Sequence, residues 1–183
     1  DLTQQLIDTS RKKNFSVAIL LIDIDNFKQV NDVYGHAAGD FLLVEFAERV
    51  RKVAPKRAYL ARLGGDEFAF SFPFMPDIPQ EATRFAEAIV QEMQRSFVKD
   101  GMTIEATVSV GIARSDEGQH AVGELMRRAD IAMYEAKRGG KNSICWFDQR
   151  MEEELLRRSE LEAAVRNGIA NREFVPFFEP VVD

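Results

Sequence analysis

The chain has 183 residues, with 24 Lys and Arg against 30 Asp and Glu, and a formal charge of −6. This length suits one domain of ordinary size with some residues to spare, and it can bury a core without staples. An apolar fraction of 45% and a charged fraction of 30% argue against disorder, and the acidic balance without a basic run argues against a non-specific nucleic-acid binder.

Residues 1–14 carry Leu2, Leu6 and Ile7 at helical spacing. Ser16 to Ile24 is nearly continuous aliphatic sequence, the pattern of a strand covered on both faces. Phe27, Val30 and Tyr34 then recur at helical spacing, and Gly35 stops the turn. The spacing predicts a longer helix starting at Asp40, with Leu43, Phe46, Val50 and Val53 on one face, closed by Pro55. Ala58 to Leu63 and Glu67 to Phe72 flank Gly64-Gly65, a hairpin signal. Pro73, Pro76 and Pro79 mark a loop. Phe85, Ile89, Met93 and Phe97 line a helix at i, i+4 spacing. Asp100-Gly101 turns the chain into one alternating strand through Ile104, Ala106, Val108, Val110 and Ile112. Residues 114–121 read as loop. Leu125, Met126, Ala129, Met133 and Ala136 mark a further helix ended by Gly139-Gly140, and Ser143 to Phe147 is a last short strand.

Beyond Asp148 the composition changes. Gln149 to Asn167 lacks Pro and Gly and reads as a long exposed or bridging helix, ended by Gly168. Glu173 to Val182 reads as the first strand of another unit. Asp1 is not Met and Asp183 follows an apolar run, so the chain reads as an excerpt from a longer protein. The element order predicts an α/β (α+β) sandwich: a central mixed sheet flanked by helices, with a β-hairpin.

One cysteine, Cys145, rules out an internal disulfide and a cysteine-built metal site. Between Ile144 and Trp146 it reads as a small buried hydrophobe in a reducing, cytoplasmic setting. The longest apolar run, Val17 to Ile22, is far too short to span a bilayer, so no membrane contact is expected from this segment.

Two places put acids where a strand meets a turn. Asp23 ends the first strand with Asp25 two residues on, and Asp66-Glu67 follows Gly64-Gly65. One or two carboxylates, with room for water and phosphate oxygens, are what Mg²⁺ prefers. Glycines let a ligand come close, and a helix starting near Asn26 aims free N–H groups at an anion. The plain alternatives are that Asp25 or Asn26 caps that helix, and that Asp66 and Glu67 are solvated acids beside a turn.

At these residues the chain resembles a known family. Leu63-Gly64-Gly65-Asp66-Glu67-Phe68 is similar to the signature of the GGDEF domains, the diguanylate cyclases. Asp23-Ile24-Asp25-Asn26-Phe27-Lys28 resembles the family's first metal strand. Asn31-Asp32-Val33-Tyr34-Gly35-His36, with Gly39-Asp40, resembles its guanine-binding stretch. Val108 to Ala113, Ala129 to Lys137 and Lys141-Asn142 are similar to its later landmarks. The resemblance covers residues 1–148.

It implies a palm-like nucleotide-cyclase fold that joins two GTP into cyclic di-GMP and releases two pyrophosphates. Asp23, the Ile24 carbonyl and Asp66 would hold one Mg²⁺ (or Mn²⁺), and Asp66 and Glu67 a second. Asp66 and Glu67 would be the catalytic acids, with Gly64 and Gly65 as the signature turn. Asn31 and Asp40 would read the guanine edge. Phe27, Lys28, Lys137 and Lys141 would hold the phosphates. Asp40 as a helix cap, and the lysines as solvated residues at a helix end, are the plain alternatives. Arg62 sits near the site on an inner strand. His36 reads as structural. Each domain would hold one GTP, so turnover implies a homodimer.

Pro55, Lys56, Arg57 and Ala58 stand where many family members carry an inhibitory Arg-x-x-Asp product site, so feedback through it is not expected. Leu161 to Asp183 is similar to the opening of an EAL phosphodiesterase domain, with Glu179 where that family usually has Gln. The implied organisation is a GGDEF domain over 1–148, a connecting helix over 149–170, and the start of an EAL-like domain over 171–183. The alternative function is a catalytically silent GTP-binding module that controls a downstream EAL domain.

Overall fold

The structure, a computed structural model, describes residues 2–115 and 121–176. The elements run α1 (Leu2–Lys13), β1 (Ser16–Ile24), α2 (Phe27–Tyr34), α3 (His36–Val53), β2 (Tyr59–Gly64), β3 (Glu67–Phe74), α4 (Gln80–Met93), β4 (Phe97–Lys99), β5 (Met102–Ile104), β6 (Val108–Arg114), α5 (Val122–Arg138), β7 (Ser143–Trp146) and α6 (Gln149–Ala170). They form two compact units, residues 1–147 and 148–183.

β1 is the middle of a five-stranded sheet ordered β2-β3-β1-β6-β7. It is antiparallel to β3 and β6, while β6 and β7 are parallel and joined through α5, which makes the sheet mixed. Both faces are covered, as the unbroken aliphatic run requires. Ala18, Leu20, Ile22 and Ile24 belong to the core cluster that also holds Phe68, Phe70 and Phe72 of β3, Phe46 of α3 and Phe85 of α4. Phe46 and Phe68 lie 4.7 Å apart between ring centres, and Phe85 meets Phe70 and Phe72 edge-on at 5.1 and 5.5 Å. The opposite face of β1, with Val17, Ile19, Leu21 and Asp23, lies under α1 and α5. Close packing on this side rests on Gly111. A Cβ there would stand 2.0 Å from the Ala129 carbonyl oxygen and 2.2 Å from the Met133 nitrogen of α5.

Several boundaries differ from the sequence expectation. α3 begins at His36, one turn before Asp40, because Gly35 at φ 84° breaks the chain direction after α2 and the helix restarts at once. Phe97 does not belong to α4. It lies fully buried in β4, and the Arg49 guanidinium stacks 3.7 Å over its ring. Arg49 also donates to the carbonyls of Glu92, Arg95 and Ser96, so an α3 side chain satisfies the end of α4. The single strand expected over 104–112 is two. β5 pairs with β4, β6 pairs with β1, and Glu105 to Thr107 carry the chain between them. Gly168 does not end α6, which runs to Ala170. Gly168 is a glycine for packing: a Cβ there would stand 2.8 Å from the Phe174 ring. Residues 173–176 are not strand, and the remainder of that expected strand, like His120, lies outside the described residues. Cys145 is half-buried in β7, and burial pushes its thiol above the ordinary range. Among the described residues no helix is long and apolar enough to cross a membrane.

Candidate functional site

The antiparallel register of β1 and β3 sets Asp23 directly opposite Glu67. Paired residues in such a ladder share a face, so both carboxylates leave the sheet on the α5 side. Asp66 immediately precedes Glu67, in the two-residue connection that closes the β2–β3 hairpin. Gly65, at φ 52°, takes the left-handed conformation this turn needs. The ladder shifts register between Arg62 and Gly64, the kind of bulge that re-aims side chains beside functional sites. Arg62 is exposed on the edge strand rather than an inner one. Its guanidinium donates twice to the Gly65 carbonyl, at 3.0 and 2.7 Å, and so fastens the turn.

Asp23 is partly buried, with 13% of its side chain exposed, and the Lys137 ammonium stands 2.8 Å from Oδ2. Burial pushes its carboxyl above the ordinary carboxylate value. Lys137 opposes that shift, and the nearby charges of Asp66 and Asp25 add to it. The Ile24 amide reaches the Asp66 carbonyl at 3.4 Å, so the strand end and the hairpin turn are bridged through the backbone. Asp25 is different. It is 4% exposed and accepts from Thr107 Oγ1, Ser109 Oγ and the Asn142 amide. It does not cap α2.

Asn26 takes the N-cap position of α2 in a left-handed conformation, without a side-chain cap. Its Oδ1 instead accepts from Lys141 Nζ at 2.7 Å. Lys137 from α5 and Lys141 from the turn after it therefore both reach the end of β1. Lys28 is exposed on the first turn of α2, and the Phe27 ring packs beside Gly39. At the head of α2 the Gln29 and Val30 amides donate to the Asn26 carbonyl, which leaves the Phe27 and Lys28 amides as the ones without a partner among the described bonds.

Asn31 on α2 packs against Gly39 on α3. A Cβ at Gly39 would stand 2.0 Å from Asn31 Oδ1. Asp40, the next residue, is exposed and lines a cavity of about 420 Å³ with Leu43, Ala47, Leu60, Arg62 and Phe68. This cavity runs from α3 to the signature hairpin. His36 is exposed at the start of α3.

Among the described residues no three of His, Cys, Asp and Glu come together as a ready-made metal cluster. Asp23 faces Glu67 and feels Asp66 while its oxygen is held by a lysine. That donor set fits Mg²⁺, which uses one or two carboxylates together with phosphates and water rather than an all-protein cage. The Lys137 ammonium also marks a place on Asp23 where positive charge is favoured. Thr107, Ser109, Gly39 and the Arg62 clamp were not assigned roles by sequence reasoning. Gly39 carried a signal only as part of the stretch that resembles the family's guanine-binding motif, just ahead of the helix expected from Asp40.

The sequence matches the family "Diguanylate cyclase, GGDEF domain" over residues 1–143, and the chain belongs to that family. It is 34% identical over 182 residues to "Bifunctional diguanylate cyclase/cyclic di-GMP phosphodiesterase MucR" of Pseudomonas aeruginosa, covering all of this chain and 26% of that protein. It is 36% identical over 169 residues to "Biofilm architecture maintenance protein MbaA" of Vibrio cholerae, covering 88% of this chain and 21% of that protein. The chain thus spans about a quarter of these relatives' length. Among solved structures, the GGDEF domain of YfiN (TpbB) from Pseudomonas aeruginosa superposes with a TM-score of 0.76 at 36% identity, over 80% of this chain and 91% of that one. The GGDEF domain of DgcB from Caulobacter crescentus, solved in complex with c-di-GMP, gives 0.72 at 30% identity, over 80% and 86%.

Proposed function

We propose that residues 1–148 form a diguanylate cyclase half-site that binds one GTP and condenses it with a second, held by another copy, into cyclic di-GMP. The observation that carries this reading is the meeting of Asp23, Glu67 and Lys137 at one end of the sheet, with Asp66 and Lys141 beside them. Acids that gather cations and cations that gather phosphates are there set edge to edge.

The roles follow from the chemistry of each group. Asn31 and Asp40 take the guanine edge: a carboxylate accepts from both N–H groups on that edge, which adenine does not offer. The α2 N-terminus at Phe27 and Lys28, with Lys137 and Lys141, receives the β- and γ-phosphates. Asp23, the Ile24 carbonyl, Asp66 and Glu67 are the oxygen donors for two Mg²⁺ (or Mn²⁺), with Asp66 and Glu67 as the catalytic acids. Bound there, the cations would supply charge neutralisation at the entering and leaving oxygens. Gly64 and Gly65 keep the hairpin tip free of side chains, so the α-phosphate lies close to the turn. The 3′-oxygen of one GTP forms its bond to the α-phosphorus of the other as the bond to pyrophosphate breaks, and the second half-reaction closes the ring. Most of the catalysis is positioning and electrostatics. Each copy holds one nucleotide, so rate rises with the square of protein concentration until the homodimer saturates.

Purified protein incubated with GTP and Mg²⁺ tests the reading by nucleotide separation. Cyclic di-GMP is expected, and Asp66→Ala abolishes it. GTP bound without product at high protein concentration favours the second reading, a silent module that controls a following domain. MucR is described as a bifunctional diguanylate cyclase/cyclic di-GMP phosphodiesterase, so a phosphodiesterase domain following this one in the parent fits either reading. There, residues 149–170 would connect the GGDEF domain to an EAL domain opening at 171–183, and GTP would stimulate hydrolysis of cyclic di-GMP by the parent. In either case the expected setting is cytoplasmic, with no nucleic-acid partner.

A further inference from the structure

The Asp25 carboxylate has no part in the roles above, although it lies between the Ile24 carbonyl and Asn26. We infer that Asp25 is a positioning residue: it fixes the backbone turn that presents Lys141 to the phosphates. This rests on the cyclase reading.

Burying a carboxylate is costly unless hydrogen bonds replace its water. At 4% exposure, Asp25 takes Thr107 Oγ1 and Ser109 Oγ, each at 2.7 Å, and the Asn142 amide at 3.1 Å. The two hydroxyls come from Thr107, just before β6, and from Ser109 within it. The amide belongs to the turn after α5, 117 residues away in sequence. In that turn Lys141 and Asn142 stand at φ 65° and 46°, two consecutive non-glycine residues in the left-handed region. Lysine avoids that region because its Cβ crowds the backbone. Such a conformation persists only where the surroundings over-determine it. The described bonds that hold it include Lys141 N to the Ala136 carbonyl at 3.1 Å, Asn142 N to Asp25 Oδ2 and, one residue on, Ser143 Oγ to the Ala136 carbonyl at 3.3 Å.

Without the second bond the turn can relax to ordinary φ values, which turns the Lys141 side chain to another direction. With it, Lys141 Nζ is delivered to Asn26 Oδ1 at 2.7 Å, at the head of α2. Asp25 thus ties the strand end that carries the acids to the turn that carries a phosphate lysine. A purely structural carboxylate would affect nucleotide binding to the same degree whether or not Lys141 were present.

The test is a double-mutant cycle on affinity for a fluorescent, non-hydrolysable GTP analogue with Mg²⁺, using the 183-residue chain. Asp25→Asn is expected to weaken binding about tenfold, the scale of one hydrogen bond to a charged group. In a Lys141→Met background the same change is expected to cost less than about twofold, because coupled residues are non-additive. Equal losses in both backgrounds, or no loss in either, overturn the positioning role. If Asp25→Asn does not melt cooperatively, Thr107→Val, which removes one donor and leaves the carboxylate, carries the same cycle with a smaller loss. A wild-type chain that binds no guanine nucleotide overturns the cyclase reading and this one together. Tight wild-type binding with background-independent losses overturns this one alone.

Discussion

Lys137, in the last turn of α5, sets its ammonium 2.8 Å from Asp23 Oδ2 at the end of β1. The pair links the helix that crosses between β6 and β7 to the strand at the middle of the sheet. In the free protein it answers the repulsion among Asp23, Asp66 and Asp25. Lys137→Met leaves that carboxylate without its cation, and removing one partner of a partly buried pair costs more than the pair is worth. The melting temperature at pH 7 is expected to fall by about 2–5 °C. Added Mg²⁺ alone should raise it more in the variant than in the wild type, because the ammonium no longer competes for the oxygen. Thermal melts with and without Mg²⁺ measure both effects. An identical Mg²⁺ response in the two proteins would count against a shared position for lysine and metal.

Burial of the Asp23 carboxyl costs the fold stability. Burial is the largest influence on its carboxyl, which holds its proton above the ordinary value of 3.8 even with Lys137 beside it. A group that binds its proton more tightly when folded than when unfolded lowers stability as pH rises through the interval between its two values. Asp23→Asn removes that loss. Its melting temperature at pH 7 should exceed the wild-type value by on the order of 1–3 °C, while cyclase turnover disappears. The gain should vanish below the ordinary carboxylate range, where both side chains are neutral. Melting curves from pH 3 to 7 show whether the two proteins converge at the acid end.

Much of this arrangement was legible in the sequence, and the parts that were not have a common cause. β1, the hairpin, α5 and β7 follow from local pattern: an unbroken apolar run, a Gly-Gly pair between alternating segments, a helical stripe ended by two glycines. The errors fell where a distant partner decided the outcome. Phe97 continues the α4 stripe in sequence, yet its place is fixed by Arg49 from another helix. Residues 104–112 alternate without interruption, but their hydrogen-bond partner changes from β4 to β1. Gly168 looks like a stop signal and is instead a seat for the Phe174 ring. The acids and lysines could be singled out one by one. Their mutual distances could not, and neither could the burial of Asp25, which depends on Thr107, Ser109 and Asn142 arriving from elsewhere in the chain.

Gly39→Ala tests the guanine reading without touching a polar group. The added Cβ would stand 2.0 Å from Asn31 Oδ1 and 3.1 Å from the Phe27 ring, so the Asn31 side chain must move. Alanine at an interior helix position otherwise gains up to about 1 kcal/mol over glycine, which offsets part of the strain. The fold is therefore expected to survive, with guanine-nucleotide affinity down by at least about tenfold, the scale of one lost polar contact to the base. Titration with GTP and ATP analogues measures it. Unchanged selectivity between the two would remove Asn31 from base recognition.

Gly64 separates the demands of the fold from those of the ligand. Gly65 needs its positive φ, but Gly64 has none, and a Cβ built on it meets nothing within 4 Å. No feature of the free domain requires a glycine there. Gly64→Ala should leave the melting temperature within about 1–2 °C of wild type, since exposed substitutions without strain are close to neutral. If the open surface beside Asp66 is where the α-phosphate and ribose approach, the methyl group stands in their path and cyclase turnover should fall by about a hundredfold or more, because small misplacements of reacting atoms are costly. A variant as stable and as active as wild type would show that the ligand does not pass over the hairpin tip, and the metal and phosphate assignments at Asp66 and Glu67 would fall with that result.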